Sequence, residues 1–159
     1  MPRFLYRYAL LLLAGLTAAG VGVFLVTLAS LFAAEDYGVQ PGSPAYYVGI
    51  SSVIRRLELP HGAQAREYRG SVGDGNKAPQ SQLGFDAAHH LAAQAWDAMD
   101  GQLRGLGFHP SGTHQRTAFP VTREQEYLST QDDLIVVSTQ VDPDDSVQGP
   151  VRFFITHFD

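Results

Sequence analysis

The chain has 159 residues, a formal net charge of −5 and no cysteine. Without thiols there are no disulfides, thiol nucleophiles or thiolate metal sites. The 11 Lys and Arg against 16 Asp and Glu argue against nucleic acid as a partner, because that binding rests on clustered cations neutralising phosphates.

The first element is apolar. From Tyr8 to Ala34 there is no charge, a run of roughly 27 residues where a bilayer span needs about 20. Arg3 and Arg7 precede it, and Glu35 and Asp36 follow it. Backbone in hydrocarbon must satisfy its own N–H and C=O groups, so the run is expected as a helix. By the positive-inside rule the N-terminus is expected in the cytoplasm, with residues 35–159 across the membrane. This predicts a single-pass protein of the cell inner membrane that contacts lipid through residues 8–34 and carries a periplasmic or extracellular domain. A cleaved signal peptide is the competing reading, but cleavage after Ala34 puts Phe32 where a small residue is required. Ala14, Ala18 and Gly22 recur every four residues, a spacing that lets helices approach closely and is also common in any membrane helix.

The predicted organisation is a stub and anchor over 1–34, a polar linker over 35–43, and one extracytoplasmic domain over 44–159. About 125 residues after the anchor suffice for one core and not two. Ser43-Pro44 is a helix start, with Ser as the N-cap and Pro at the first helical position. Tyr46, Tyr47, Ile50, Val53, Ile54 and Leu57 follow at helical spacing, with a strand over 53–59 as the alternative. Pro60-His61-Gly62 is a turn, 65–70 reads as a short strand, and the Gly-rich stretch 70–82 reads as a loop.

A long amphipathic helix is predicted from Asp86, as its cap, to Leu106. Phe85, Ala88, Ala92, Trp96, Met99, Leu103 and Leu106 trace one face. Gly107 suits the left-handed residue that ends a helix, and Pro110 blocks continuation. Strands are expected over 124–129, 134–141 and 151–158, with an acidic turn over 142–149. In the last strand Phe154 and Phe158 share one face, and Phe153 and Ile155 share the other. The fold class is therefore α+β: one transmembrane helix, then a long helix packed on an antiparallel sheet of about four strands.

Each candidate chemical motif in the chain is incomplete. Asp86 and His90 are four apart and share a face if both lie on a helix, which makes them the candidate metal ligands of a small hydrolase. No HExxH accompanies them. Asp142, Asp144 and Ser146 match the start of a calcium loop, but Val147 and Phe153 stand where Gly and Glu are needed. In GSVGDGNK the lysine is followed by Ala78 and Pro79, so no phosphate loop is formed. Ser111 lies between His109 and His114 without a nucleophile elbow. No cofactor is expected. The expected role is a non-enzymatic accessory or assembly subunit that binds another envelope protein through Arg152, Phe154 and Phe158. An immunity-type protein that neutralises a toxin is a further alternative.

Overall fold

The computed structural model describes residues 3–33, 36–73, 77–114, 121–141 and 149–158. The first helix, α1, runs Arg3–Ala33, and its Tyr8–Ser30 stretch is long and apolar enough to cross a membrane. Its few hydroxyls do not break it. Thr17, Thr27 and Ser30 each donate to the carbonyl four residues earlier, so their polar groups are satisfied within the helix.

The head is a seven-stranded antiparallel sheet with helices on one face, so the α+β class holds and the expected count of about four strands does not. Its strands are β1 (Asp36–Val39), β2 (Gln64–Ser71), β3 (Gln80–Ala87), β4 (His109–His114), β5 (Val121–Leu128), β6 (Leu134–Val141) and β7 (Val151–Phe158). Three helices join them: α2 (Pro44–Gly49), α3 (Ser52–Arg56) and α4 (Ala92–Gly105). The spatial order is β1-β2-β3-β7-β6-β5-β4. The chain lays down β1 to β3 as a meander and crosses with α4 to the far edge. It then returns through β4, β5 and β6, so that β7 closes against β3.

Three strands were not expected. β1 falls within the predicted linker, β3 takes the end of the predicted loop, and β4 is a polar edge. β1 and β4 are the edge strands: β1 is only four residues long, and β4 opens on the exposed His109, Pro110 and Ser111, so neither carries a clear apolar period. β3 is the substantive correction. Phe85 and Asp86 belong to it and not to the long helix, and Asp86 caps nothing. Ser81, Leu83, Phe85 and Ala87 alternate into the core, and β3 pairs on both sides, with β2 and along its whole length with β7. Those ladder bonds satisfy a backbone that a helix start would leave open. The helix begins instead after a single 3-10 turn, His89–Leu91, with no side-chain cap.

The other end of α4 matches expectation. Gly107 takes φ +91°, and the N–H groups of Gly107 and Phe108 return to the carbonyls of Arg104 and Leu103. That double bond pattern closes a helix C-terminus and brings buried Phe108 near buried Leu103.

The helix expected after Ser43 is two helices. Ser43 accepts from the Tyr46 N–H as predicted, but Ile50 is extended and Ser51 caps a second helix by accepting from the Ile54 N–H. The Ser51 N–H donates to the Ser81 hydroxyl at 2.9 Å, pinning the break to β3. Tyr46, Ile50, Ile54 and Leu57 still reach one core with Ala95, Trp96, Met99 and Leu103 of α4. Beneath them lie Tyr68, Leu83, Phe85, Phe153, Ile155, Ile135, Val137 and Tyr127 from five strands. Gln102 adds a polar clamp, accepting from the Glu58 N–H at 2.7 Å and donating to its carbonyl at 2.9 Å.

A second polar tie crosses from sheet to helix. The Tyr127 hydroxyl donates to Asp100 Oδ1 at 2.8 Å, and Asp100 Oδ2 accepts from Arg104 Nε at 2.7 Å. The Arg104 guanidinium, more than the Tyr127 hydroxyl, holds the Asp100 carboxyl below its ordinary value. Burial first, and the Asp100 carboxylate second, push the Tyr127 phenol well above its own. A phenol raised in the fold contributes stability that is complete below the unfolded value, about 10, and is lost as pH climbs from there through the folded value. Tyr127→Phe is expected to cost about 0.5–1.5 kcal/mol at neutral pH and to flatten the alkaline fall in stability. Thermal midpoints of both chains between neutral pH and pH ~11 check this. Parallel alkaline limbs would show that the phenol is not coupled to folding.

Candidate functional site

A strand with alternating burial has two faces, and here the described helices share one of them. α2, α3 and α4 all contribute to the single core, so the N-terminal elements do not cover the second face. On β7 the pattern is strict: Val151, Phe153, Ile155 and His157 are buried, while Arg152, Phe154, Thr156 and Phe158 are half-buried on the other side. All three residues expected to bind a partner therefore lie on the open face, and the register shows their neighbours.

Phe158 stands beside Leu134 of β6, which stands beside Leu128 of β5, making an apolar row at one end of the sheet. Leu128 is 38% exposed. In the next row Val136 adjoins Thr156, whose hydroxyl accepts from Gln82 Nε2 at 2.9 Å. In the third row Phe154 lies between Ser138 and Gly84. Its ring covers Gly84, where an added Cβ would stand 3.7 Å from the Phe154 Cδ1 and Cε1 atoms. The far end is ionic. Arg152 Nη2 is 2.8 Å from Glu67 Oε2, which also meets Arg69 at 3.2 Å, and Arg152 Nε is 3.7 Å from Asp86 Oδ1. The Arg152 guanidinium lies 5.7 Å from the Phe154 ring centroid. Such half-exposed pairs contribute about 0–1 kcal/mol each to the fold. They hold an arginine and a phenylalanine, both favoured at contact surfaces, in set positions.

The face thus combines an apolar stripe with a fixed charge cluster. It offers shape and charge for recognition. Asp86 belongs to this cluster. His90 lies in the 3-10 turn after β3, so the helical spacing that paired it with Asp86 is absent. Among the described residues no three His, Asp or Glu side chains are grouped to hold a metal. The acidic turn over 142–146 lies outside the described residues.

Two concavities escaped sequence reasoning. One, about 310 Å³, opens between the start of α4 and the sheet, lined by Ala92, Trp96, Val141, Val151 and Phe153. Arg123 roofs it, its guanidinium 3.9 Å from the Trp96 ring centroid. Helical spacing marked Trp96 as core, but nothing local paired it with an arginine 27 residues on. The other, about 450 Å³, lies at the β1 edge around Asp36, Tyr37, Arg69, Gly70 and Lys77. There Lys77 Nζ pairs with Asp36 Oδ1 at 2.8 Å. The partner of the single lysine was not legible from the glycine-rich stretch around it.

Comparison of the chain with protein-family models, with curated proteins and with solved structures gives no match.

Proposed function

We propose that the chain is a single-pass protein of the cell inner membrane whose head binds another envelope protein through the open sheet face, as a non-enzymatic accessory or assembly subunit. In this reading the N-terminus is cytoplasmic and the head is periplasmic or extracellular. Two observations support the tether: the apolar length of α1, and the arginines before it with acids after it.

The observation that carries the binding role is the side of β7 that none of the described helices covers. Phe154, Phe158, Val136, Leu134 and Leu128 remain partly exposed there beside the Arg152 cluster, although the same strands bury their other side. Contiguous apolar area rimmed by charge is the ordinary composition of a protein contact surface.

A photo-reactive residue at Thr156, in the middle of the face, is expected to crosslink a discrete partner in native membranes. Phe154→Glu should remove that product, with a central hot-spot loss of about 2 kcal/mol, or about 30-fold in affinity. A co-purifying set unchanged by Phe154→Glu and by Arg152→Glu would rule the face out.

A further inference from the structure

α2 does not only contribute to the core; it also packs against α1. Along the described part of the span, Tyr8–Ser30, every residue is exposed except Thr27 and Leu28, which are partly covered. The cover falls within the last turn of the apolar stretch, at the depth where a span ending near Ser30 meets the headgroups. α2 is therefore held at the level of the membrane interface.

What α2 turns outward is apolar. Its buried side is Tyr46, which reaches the core. Its outer side carries Tyr47, 59% exposed, and Val48, 40% exposed. Outside α1, these two and Leu128 are the exposed large hydrophobic residues among the described part of the chain. Above Tyr47 sits a cation: the Arg55 guanidinium is 5.6 Å from its ring centroid, and Arg56 follows in the last turn of α3. An amphipathic aromatic and a branched aliphatic beside an arginine suit the boundary between acyl chains and headgroups.

The element is also rigidly mounted. The Tyr37 hydroxyl donates to the Gly49 carbonyl at 2.8 Å. The Tyr37 ring fills the space beside Gly49 and Gly70, where an added Cβ would come within 2.7 Å and 2.5 Å of it. Tyr37 thus locks the end of α2 to β1 and β2, so a contact made by α2 is passed to the whole sheet.

We propose that α2 is a membrane foot: Tyr47 and Val48 insert at the acyl boundary next to α1, Arg55 and Arg56 meet lipid phosphates, and the head is held at one orientation to the bilayer. Lipid is the occupant this placement favours, because α2 packs against α1, the helix long and apolar enough to cross a membrane. The inference rests on α1 spanning the membrane, and its test separates the two.

The full chain is reconstituted in phosphatidylglycerol–phosphatidylcholine vesicles carrying lipids brominated either high or low on the acyl chain. Tryptophan is introduced singly by Tyr47→Trp, Leu16→Trp or His61→Trp, and emission is read as the difference from the wild-type chain, whose Trp96 lies inside the head. Tyr47 is exposed, so the larger ring fits without repacking. Leu16→Trp should be quenched by the deep bromines, Tyr47→Trp blue-shifted and quenched by the shallow ones, and His61→Trp, on the turn at the opposite end of the sheet, by neither. Removing phosphatidylglycerol should weaken the shallow quenching. If Leu16→Trp is quenched and Tyr47→Trp is not, the span stands and the foot is overturned, leaving Tyr47 to water or a second copy. If Leu16→Trp is unquenched, the span fails and takes the foot with it.

Discussion

Replacing Phe153 by alanine is expected to cost about 3–5 kcal/mol, enough to unfold much of a domain of ordinary stability. Phe153 is fully buried and stacks on Phe85 with ring centroids 4.9 Å apart and planes within 4°. It also meets Trp96 of α4 at 6.3 Å. One ring therefore joins β3, β7 and the crossover helix, and its loss leaves a cavity where three elements meet. The next residue is the control. Phe154 is half-buried on the open face against Gly84, and Phe154→Ala should cost about 1 kcal/mol by lost area alone. Urea unfolding of the full chain in detergent, followed by Trp96 emission, measures both. Equal losses at the two positions would mean that both faces of β7 are covered and that no surface is left for a partner.

Arginine at both Leu12 and Leu16 should move the chain out of the membrane without unfolding the head. Leu16→Arg places a charge near the middle of the Tyr8–Ser30 stretch, at about 3 kcal/mol on insertion scales, and Leu12→Arg adds a smaller cost nearer its N-terminal end. Neither side chain touches the core; both are well exposed on α1. The expected result is loss from carbonate-washed membranes together with an unchanged thermal midpoint for the head. A head that melts early in the double variant would show that α1 supports the fold directly. A chain that stays in the membrane would require a second attachment strong enough to replace the span, and the two exposed apolar residues of α2 proposed to insert are too few for that.

These two expectations draw on different parts of what could be read in advance. The apolar N-terminal helix needed only composition, because an uncharged run of that length forms a helix long enough to cross a membrane without reference to the rest of the chain. β6 and β7 lie over 134–141 and 151–158 as expected, since each carries a period of two and ends at turn-forming residues. Their alternation also put Arg152, Phe154 and Phe158 on one face. The Ser43 cap and the Gly107 ending were legible because each is decided by hydrogen bonds to residues within one or two turns.

β3 was not legible, and the reason is specific. Phe85, Ala88 and Ala92 fit the helical period as well as Leu83, Phe85 and Ala87 fit the strand period, so the local pattern was ambiguous. Pairing with residues 151–158, more than 60 positions away, resolved it. The pairing of Asp86 with His90 failed for the same reason. The Arg152 cluster shows the converse gain. Glu67 and Asp86 come from β2 and β3, and only the register of three strands brings both to one guanidinium.

The amino-acid order alone determined the apolar rod at the N-terminus, the two C-terminal strands, the alternation that gives β7 two faces, and the caps at Ser43 and Gly107. All of these depend on charge, period or bonds between near neighbours. Among the described residues, the tertiary structure decided that seven strands form one sheet, that α2, α3 and α4 share one side of it, and that α2 packs against α1. Those outcomes depend on backbone bonds and packing between segments far apart in the chain, whose free energy no local window contains.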